Sequence, residues 1–361
     1  MSLKNNTTIP FIGNETALSQ HSSTCIFVDS PAERISQLCA YWFILLGSFF
    51  GNFLIVIIVY KHRDLRKTIN YFIVNMAVSD LLFSLVVIPV QITALVTNSG
   101  HWHVSGTLGS MFCKLFYFGG SASLLVSVQS LVWIAIDRFV AVVFPIKIGI
   151  ISSKIRTTAI VSTWVLAAVF YFPWLVIHGL DEHGNSVLCG LVNEQSIFSS
   201  KEASEGYFWL HVTIRFLAPL LLITVLYTAI MVALKTRNKA FMHAAHKRQH
   251  HGSKKRRQAT QMAVVTLVLF YICVIPYNLL RFVRFWKPSC AFLRTFSLIA
   301  VFMFLLSSVI NPIICLSFVT SYRRGLRNLV CCFCRMRSSN MAKRERITLK
   351  EIKTFPAENC Q

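Results

Sequence analysis

The chain has 361 residues and a formal net charge of +22, with 55% hydrophobic and 14% charged residues. A soluble domain carries about 25% charged residues, so this composition excludes an ordinary globular protein. The hydrophobic residues lie in long blocks, which is typical of a chain that crosses a membrane several times.

Seven apolar blocks follow one another, each close to the roughly 20 residues that cross a bilayer as a helix. In chain order they are Ala40–Tyr60, Ile69–Val96, Leu115–Ile136, Thr157–Ile177, Tyr207–Leu234, Ala259–Leu280 and Thr295–Thr320. Charged residues inside them are limited to Asp80 in the second block and Arg215 in the fifth. Because backbone polar groups in a bilayer need internal partners, each block should be a helix. We therefore predict an all-α membrane protein, a seven-transmembrane helix bundle.

A short basic, amphipathic stretch at Tyr322–Val330 follows the last block and predicts a cytoplasmic helix along the membrane surface. The chain is accordingly divided into four parts. They are an extracellular N-terminal segment (1–37), the seven-helix core (38–320), the amphipathic helix with candidate palmitoylation cysteines (321–334) and a cytoplasmic tail (335–361).

The basic residues lie on one side of the predicted membrane. The loops after the first, third and fifth blocks and the tail are basic, whereas the loop between the fourth and fifth blocks is acidic. Excess Lys and Arg marks the cytoplasmic side, so the N-terminus should be extracellular and the C-terminus cytoplasmic, in the plasma membrane. The net charge then reflects topology and attraction to anionic lipid, and nucleic-acid binding is not expected.

Modification sites fit this orientation. Asn5, Asn6 and Asn14 each begin a glycosylation triplet on the predicted outer side. Cys113 and Cys189 both lie outside, where an oxidising environment allows a disulfide, and Cys25 with Cys290 is a second candidate pair. Candidate palmitoylation sites are Cys331, Cys332 and Cys334, with free thiols as the alternative.

Polar residues inside the blocks are few, and each needs a structural reason. Asp80 lies mid-span in the second block, so it should face the bundle interior. Oxygen-bearing side chains in other blocks are candidates to meet it, and such groups suit a hard cation. These are Ser127, Ser308 and Asn311. The alternative is a polar network that only packs helices.

Several motifs lie in order, each on a particular block. Asp137-Arg138-Phe139 ends the third block, Trp164 lies in the fourth, and prolines interrupt the fifth, sixth and seventh. With these and further motifs, the chain resembles the rhodopsin-like (class A) G-protein-coupled receptors from about Leu38 to Cys334. The further motifs are Gly51-Asn52, the Asp80 segment, Cys113 and Cys189, Pro219 and Tyr227, Phe270 and Pro276, and Asn311-Pro312. The resemblance is to receptors of the peptide type.

The resemblance implies roles for individual residues. Arg138 would contact Asp137 at rest and engage the G protein when active, while Asp80, with the three candidates above, would hold an allosteric sodium ion. The activation and coupling set would comprise Asp137, Arg138, Phe139, Pro145, Tyr227, Phe270, Pro276 and Pro312. Expected partners are an extracellular peptide, a heterotrimeric G protein and membrane lipids, with arrestin as a further candidate. Two departures, Val274 and Cys315, stand where the family usually has Trp and Tyr.

The ligand pocket is expected to be basic. Amine receptors of the family need an Asp where this chain has Gly119-Gly120-Ser121, and opsins need a Lys where it has Leu305. Candidate ligand-binding residues are Gln91, Gly120, His211, Arg215, Asn278, Arg281 and Arg284. Gly120 is expected to widen the pocket floor, and Arg281 and Arg284 have snorkelling to the interface as an alternative. We hypothesise that Arg215 binds a ligand carboxylate, phosphate or amide carbonyl.

The predicted function is a receptor that passes the signal of a neuropeptide to G proteins. A small acidic ligand, a lipid or a metabolite, is the alternative. A transporter is a remote alternative, because the seven unequal blocks show no internal repeat. We expect no enzyme activity, since the blocks lack clustered metal-ligating residues, and no cofactor apart from the sodium ion.

Overall fold

The computed structural model describes residues 30–97, 101–144, 151–183, 186–192, 200–241, 247–286 and 288–329. Its helices are α1 (Pro31–Lys61), α2 (Thr68–Thr97), α3 (Gly106–Val143), α4 (Ser153–Tyr171), α5 (Trp174–Ile177), α6 (Lys201–Val212), α7 (Ala218–Phe241), α8 (Lys247–Phe285), α9 (Cys290–Phe318) and α10 (320–329). Two strands, β1 (His178–His183) and β2 (Ser186–Leu191), form a hairpin. Outside the described residues lie Asn5, Asn6, Asn14, Cys25, Pro145, Cys331, Cys332 and Cys334, as do the side chains of Arg281 and Arg284.

Serine residues start four of these helices. Ser30, Ser152, Ser200 and Ser289 each accept a hydrogen bond from the backbone N–H three residues later. At α1 the Glu33 side chain returns the bond to the backbone of Ser30, which completes a capping box. These caps satisfy N–H groups that have no partner inside the helix. The helix starts are therefore encoded locally, just before each apolar stretch.

The described helices build a seven-helix membrane bundle, as predicted. Among the described residues, five helical stretches are long and apolar enough to cross a membrane, namely Pro31–Lys61, Thr68–Thr97, Gly106–Val143, Glu205–Thr236 and Cys290–Phe318. Val264–Leu280 of α8 is a shorter apolar helix, and α4 packs against α3 to complete the bundle. The protein is a multi-pass membrane protein.

Two helices depart from the predicted blocks. The fourth block was predicted to continue to Ile177, but α4 ends at Tyr171 and a turn at Phe172 and Pro173 precedes the single turn α5. In the fifth, a π-turn over Thr213–Leu217 joins α6 to α7. Pro219 has no N–H to donate to the carbonyl four residues earlier, so the hydrogen-bond pattern changes just before it.

Glycines set how closely neighbouring helices approach. A Cβ added at Gly51 would lie 2.8 Å from Pro312 of α9, and one added at Gly120 would lie 2.8 Å from Cγ2 of Val87 in α2. Both distances are too short for a real Cβ. The expectation that Gly120 widens a pocket floor is wrong, because Val87 fills the space beside it. Gly120 instead allows α2 and α3 to pack closely.

The β1–β2 hairpin covers one end of the bundle, which we call the hairpin end. The strands are antiparallel, with Leu180 opposite Cys189. A disulfide joins Cys189 to Cys113 near the start of α3, as expected from the sequence. Cys290, at the start of α9, is also disulfide-bonded. The hairpin is thus held against α3 and α5 at this end of the bundle.

Candidate functional site

A buried arginine lies in the π-turn between α6 and α7. Arg215 is 5% exposed, and its Nη1 lies 3.3 Å from Nε2 of His211 in the preceding turn. The hydroxyl of Tyr171 in α4 lies 2.7 Å from the same nitrogen. Arginine can only donate, so Nε2 acts as an acceptor and the imidazole is neutral. Two donors compete for one lone pair, and the longer contact, that of Arg215, is the weaker.

The other edge of the Arg215 guanidinium has no partner in the described part of the chain. Its Nε and Nη2 are buried and make no hydrogen bond there. The ion pairs recorded among those residues join Arg138 to Asp137 and Arg294 to Glu33, and none involves Arg215. A buried charge without a counter-charge is costly. An arginine at this depth therefore suits an anion or carbonyl that enters from outside the chain.

Aromatic rings connect this arginine to the hairpin. The His211 ring lies 6.1 Å from Phe170, 5.4 Å from Tyr171 and 5.7 Å from Trp174 between ring centroids. Trp174 then lies 4.9 Å from His178 of β1. Sequence reasoning missed Tyr171, Trp174 and His178. The signal that could have found them is the aromatic run Phe170 to Trp174, interrupted by a proline.

His178 is the hairpin residue most enclosed by rings. It stacks on Tyr117 of α3 at 4.0 Å, and its Nδ1 lies 3.1 Å from the Trp174 carbonyl. Burial lowers the pKa of His178 from 6.5 to about 4, against a smaller opposing effect of that hydrogen bond. The ring is therefore neutral at physiological pH and acts as part of the apolar wall.

Gln91 and Asn278 are two further residues predicted to bind the ligand. Gln91 of α2 is 2% exposed, and its Nε2 has no hydrogen-bond partner within the described residues. Asn278 of α8 is half-buried and donates to the carbonyl of Val274 at 2.8 Å, within its own helix. Neither side chain contacts Arg215 in a recorded hydrogen bond. The structure thus brings His211 and Arg215 together, and within the described residues Gln91 and Asn278 form no hydrogen bond with either.

A polar layer lies in the middle of the bundle around Asp80. Asp80 is 4% exposed and accepts hydrogen bonds from Ser127 Oγ and Asn311 Nδ2, both at 2.7 Å. Ser79, which the sequence analysis did not name, contacts Ser127 at 2.6 Å. Ser308 donates its hydroxyl proton to the carbonyl of Leu305 at 2.9 Å and does not contact Asp80 in a recorded bond. Of the four predicted residues, Asp80, Ser127 and Asn311 are therefore joined by hydrogen bonds.

This layer fits the sodium ion that the resemblance implies. Oδ1 of Asn311 is buried and without a partner in the described part of the chain. Together with the Asp80 carboxylate and the Ser127 hydroxyl it supplies oxygen donors of the kind that hard cations prefer. The hydrogen bonds of Asp80 also join α2 to α3 and α9.

Two further polar contacts lock helices around this layer. Asn52 of α1 donates to the carbonyls of Ser48 and Ser308, both at 2.9 Å. Asn75 of α2 accepts from the indole N–H of Trp164 at 2.8 Å. It also donates to Ser130 Oγ at 2.9 Å and to Thr163 Oγ1 at 3.1 Å. The side chain of Asn75 thus joins α2, α3 and α4.

The bundle end opposite the hairpin carries the acid–arginine pair of α3. Arg138 contacts Asp137 at 2.5 Å, and Phe139 is half-buried beside it. At the same end, the hydroxyl of Tyr322 in α10 donates to Asn70 Oδ1 at 3.1 Å, a contact that sequence reasoning missed. We call this the Arg138 end.

Buried aromatic and aliphatic groups fill the space between the two ends. Tyr227 of α7 and Phe270 of α8 are 8% and 1% exposed, and Pro312 is also buried. Phe216, next to Arg215, lies 5.1 Å from Tyr271, whose ring lies 5.9 Å from Phe270. Aromatic contacts thus run from the neighbourhood of Arg215 into α8, although Val274 is not aromatic.

These features define a class of protein, a seven-helix membrane receptor with a disulfide-anchored hairpin at one end and an acid–arginine pair at the other. Residues 51–314 match the family described as 7 transmembrane receptor (rhodopsin family), and the chain belongs to this family.

Individual relatives are similar over most of the chain. A QRFP-like peptide receptor of Branchiostoma floridae is 30% identical over 256 residues, which make up 69% of this chain and 64% of that receptor. Neuromedin-U receptor 2 of Rattus norvegicus is 27% identical over 354 residues, 89% of this chain and 85% of that receptor. Rhodopsin of Scyliorhinus canicula is also 27% identical, over 83% of this chain and 81% of its own length. The chain thus spans less than two thirds of the Branchiostoma receptor, and percentage identity alone does not select a ligand.

Proposed function

We propose that this protein is a plasma-membrane receptor that binds an extracellular peptide at the hairpin end and activates a heterotrimeric G protein at the Arg138 end. The observation that carries the proposal is the pairing, in a member of this family, of a disulfide-anchored hairpin with the Asp137–Arg138 contact at the opposite end. The proposed role is signal transfer, with no catalytic step.

Two observations favour a peptide among the ligands of this family. The relatives from Branchiostoma floridae and Rattus norvegicus are named as receptors for a QRFP-like peptide and for neuromedin U. Leu305 of α9 is fully buried and has no amine, so retinal could not form a Schiff base there as rhodopsin requires. A peptide is long enough to contact both the hairpin and the deep Arg215.

The proposed orientation places the hairpin end outside the cell and the Arg138 end in the cytoplasm. The basic loops that the sequence places on the Arg138 side support this orientation through the positive-inside rule. The G protein would dock at this end, and arrestin and anionic lipids are further proposed partners. A sodium ion held by Asp80, Ser127 and Asn311 would neutralise the buried carboxylate.

The residues between the two ends would transmit binding as a change in packing. A ligand at Arg215 is placed to shift Phe216 and, through Tyr271, Phe270. Such a shift alters which packed arrangement of α7 and α8 is favoured, because packed cores are bistable and do not deform continuously. Freed from Asp137, Arg138 would then be available to the G protein. Val274 contributes no ring to this path.

A screen of synthetic neuropeptides and of acidic lipids and metabolites tests the ligand class. Cells that express the receptor are read with calcium and cyclic-AMP reporters, and Arg138→Ala at equal surface expression is the control. We expect a peptide to give a response that the control lacks. A response to acidic metabolites and to no peptide would replace the proposal by its alternative, a small acidic ligand. No response in any reporter from a receptor that reaches the surface would contradict both.

A further inference from the structure

The free edge of Arg215 has a specific shape. Nη1 of the guanidinium is directed at His211, whereas the two nitrogens without partners in the described part of the chain are Nε and Nη2. The N–H groups of these two atoms lie side by side on one edge of the planar guanidinium. This edge can donate two parallel hydrogen bonds to the two oxygens of one carboxylate.

The surroundings of Arg215 select for an anion. The recorded ion pairs of the described residues leave it without a carboxylate, and His211 is neutral because its Nε2 accepts. Tyr171 already occupies that nitrogen at 2.7 Å. The positive charge is therefore compensated only weakly by the chain. An incoming anion would compensate the charge of Arg215, whereas a neutral amide would supply only a hydrogen-bond acceptor.

Aromatic rings around His211, one helical turn from Arg215, offer a surface for an apolar group of a ligand. Phe170, Tyr171 and Trp174 surround the His211 ring with centroid distances between 5.4 and 6.1 Å. Aromatic rings of this kind favour stacking or edge contacts with another ring. The site thus combines one cationic edge with a ring-lined wall only one turn away.

We propose that the Nε–Nη2 edge of Arg215 binds a carboxylate of the extracellular ligand, with an aromatic group of that ligand packed on the wall of Phe170, Tyr171 and Trp174. This assignment deepens the proposed function, since it rests on a ligand that enters from the hairpin end. For a peptide, the group that fits is a free C-terminal carboxylate on an aromatic residue. A neutral, amidated terminus lacks the charge that the site requires.

A matched pair of small probes tests the assignment on the purified full-length receptor in phosphatidylcholine nanodiscs. N-acetylphenylalanine carries the carboxylate and the ring, and N-acetylphenylalaninamide carries the ring with a neutral amide. We expect the acid to raise the apparent melting temperature and the amide to leave it unchanged. Equal effects of the two probes, or no effect of either, would overturn the proposal.

Variants of Arg215 test whether binding of the acid depends on this side chain. Arg215→Gln keeps hydrogen-bonding capacity without charge and should weaken binding of the acid about 30-fold or more, the effect of removing one partner of a buried charge pair. Without probe it should be at least as stable as wild type, because a poorly compensated buried charge is gone. Arg156→Gln is the matched control, since Arg156 stacks on Tyr71 at 3.9 Å in another part of the bundle, and it should bind the acid normally.

If neither Arg215→Gln nor Arg215→Lys folds, Arg215 has a structural role and the proposal is contradicted. If Arg215→Lys folds, it tests the geometry of the guanidinium edge separately from its charge. Lys keeps the charge but has no paired edge, so it should bind the acid about tenfold more weakly than wild type, the loss of one good hydrogen bond. Lysine binding as tight as arginine binding would refute the role of the edge.

A membrane lipid is the other source of an anion. Nanodiscs that contain phosphatidic acid provide it. If phosphatidic acid stabilises wild type but not Arg215→Gln and abolishes the effect of N-acetylphenylalanine, the occupant is a lipid phosphate and the proposal is overturned. Because the assay contains no G protein, binding of the acid without any peptide response would refute the proposed peptide ligand alone. A peptide response without binding of the acid would refute this assignment alone.

Discussion

Asn75 joins three helices through one buried side chain, so Asn75→Ala should destabilise the bundle without touching the proposed ligand site. The substitution removes the acceptor of the Trp164 indole N–H and two contacts to Ser130 and Thr163. Interhelical hydrogen bonds in membranes contribute about 0.6 kcal/mol each on average, so three of them amount to about 2 kcal/mol. The hydroxyls of Ser130 and Thr163 keep their backbone acceptors, which limits the cost.

Thermal unfolding in detergent measures this loss. The unfolding entropy is about 2.1 cal/mol/K per residue, or about 0.8 kcal/mol/K for 361 residues, so about 2 kcal/mol corresponds to a fall of about 3 °C in the melting temperature. Ser84→Ala is the control, because Ser84 is fully buried and its hydroxyl donates to the carbonyl of Leu81 in its own helix, with no bond to another helix among the described residues. It should stay within about 1 °C of wild type, since a surplus bond inside a helix adds little.

A double-mutant cycle sharpens the same test. Trp164→Phe removes the other half of the shortest Asn75 bond. The losses of stability in Trp164→Phe and in Asn75→Ala should therefore sum to more than the loss in the double variant, because both single variants remove the same hydrogen bond. An Asn75→Ala melting temperature equal to wild type, or strict additivity with Trp164→Phe, would refute the reasoning.

Three other predictions concern residues away from Arg215. The folded pKa of His178 (about 4) lies below its unfolded value of 6.5, so the unfolded state binds more protons between these pH values. The free energy of unfolding should therefore fall by at most about 3 kcal/mol as the pH drops through this window. In His178→Phe the melting temperature should depend less on pH over the same window. Tyr322→Phe removes the donor to Asn70 and should speed hydrogen–deuterium exchange in α10 while α1 is unchanged. Cys113→Ser opens a disulfide of sequence separation 76 and should cost about 4.5 kcal/mol by chain entropy, whereas Cys39→Ser, at an exposed free thiol, should melt like wild type.

Much of the fold was predictable because its determinants are local. Apolar run length places the membrane helices, and serine caps mark where several of them begin. The Cys113–Cys189 disulfide was predicted from the outer location of both cysteines together with the family resemblance, which includes this pair. Asp80 met Ser127 and Asn311 because a buried carboxylate inside a bundle needs donors.

Other features depend on tertiary packing and were not predictable from one sequence. Tyr171 meets His211 across 40 residues of chain, and Tyr322 meets Asn70 across 252. The role of Gly120 depends on the distance between α2 and α3, which apolar patterning does not encode. The π-turn at Arg215 is one of the hydrogen-bond registers that a helix can adopt before a proline, and the sequence does not specify which one.

Guanine nucleotide exchange tests the central claim most directly. Wild-type receptor in nanodiscs is combined with purified heterotrimeric G proteins of several families and with the peptide selected by the screen. The account predicts peptide-stimulated exchange on at least one G protein, and its loss in Arg138→Ala although that variant still binds the peptide. Exchange at the receptor-free rate on every G protein tested, or undiminished exchange with Arg138→Ala, would contradict it.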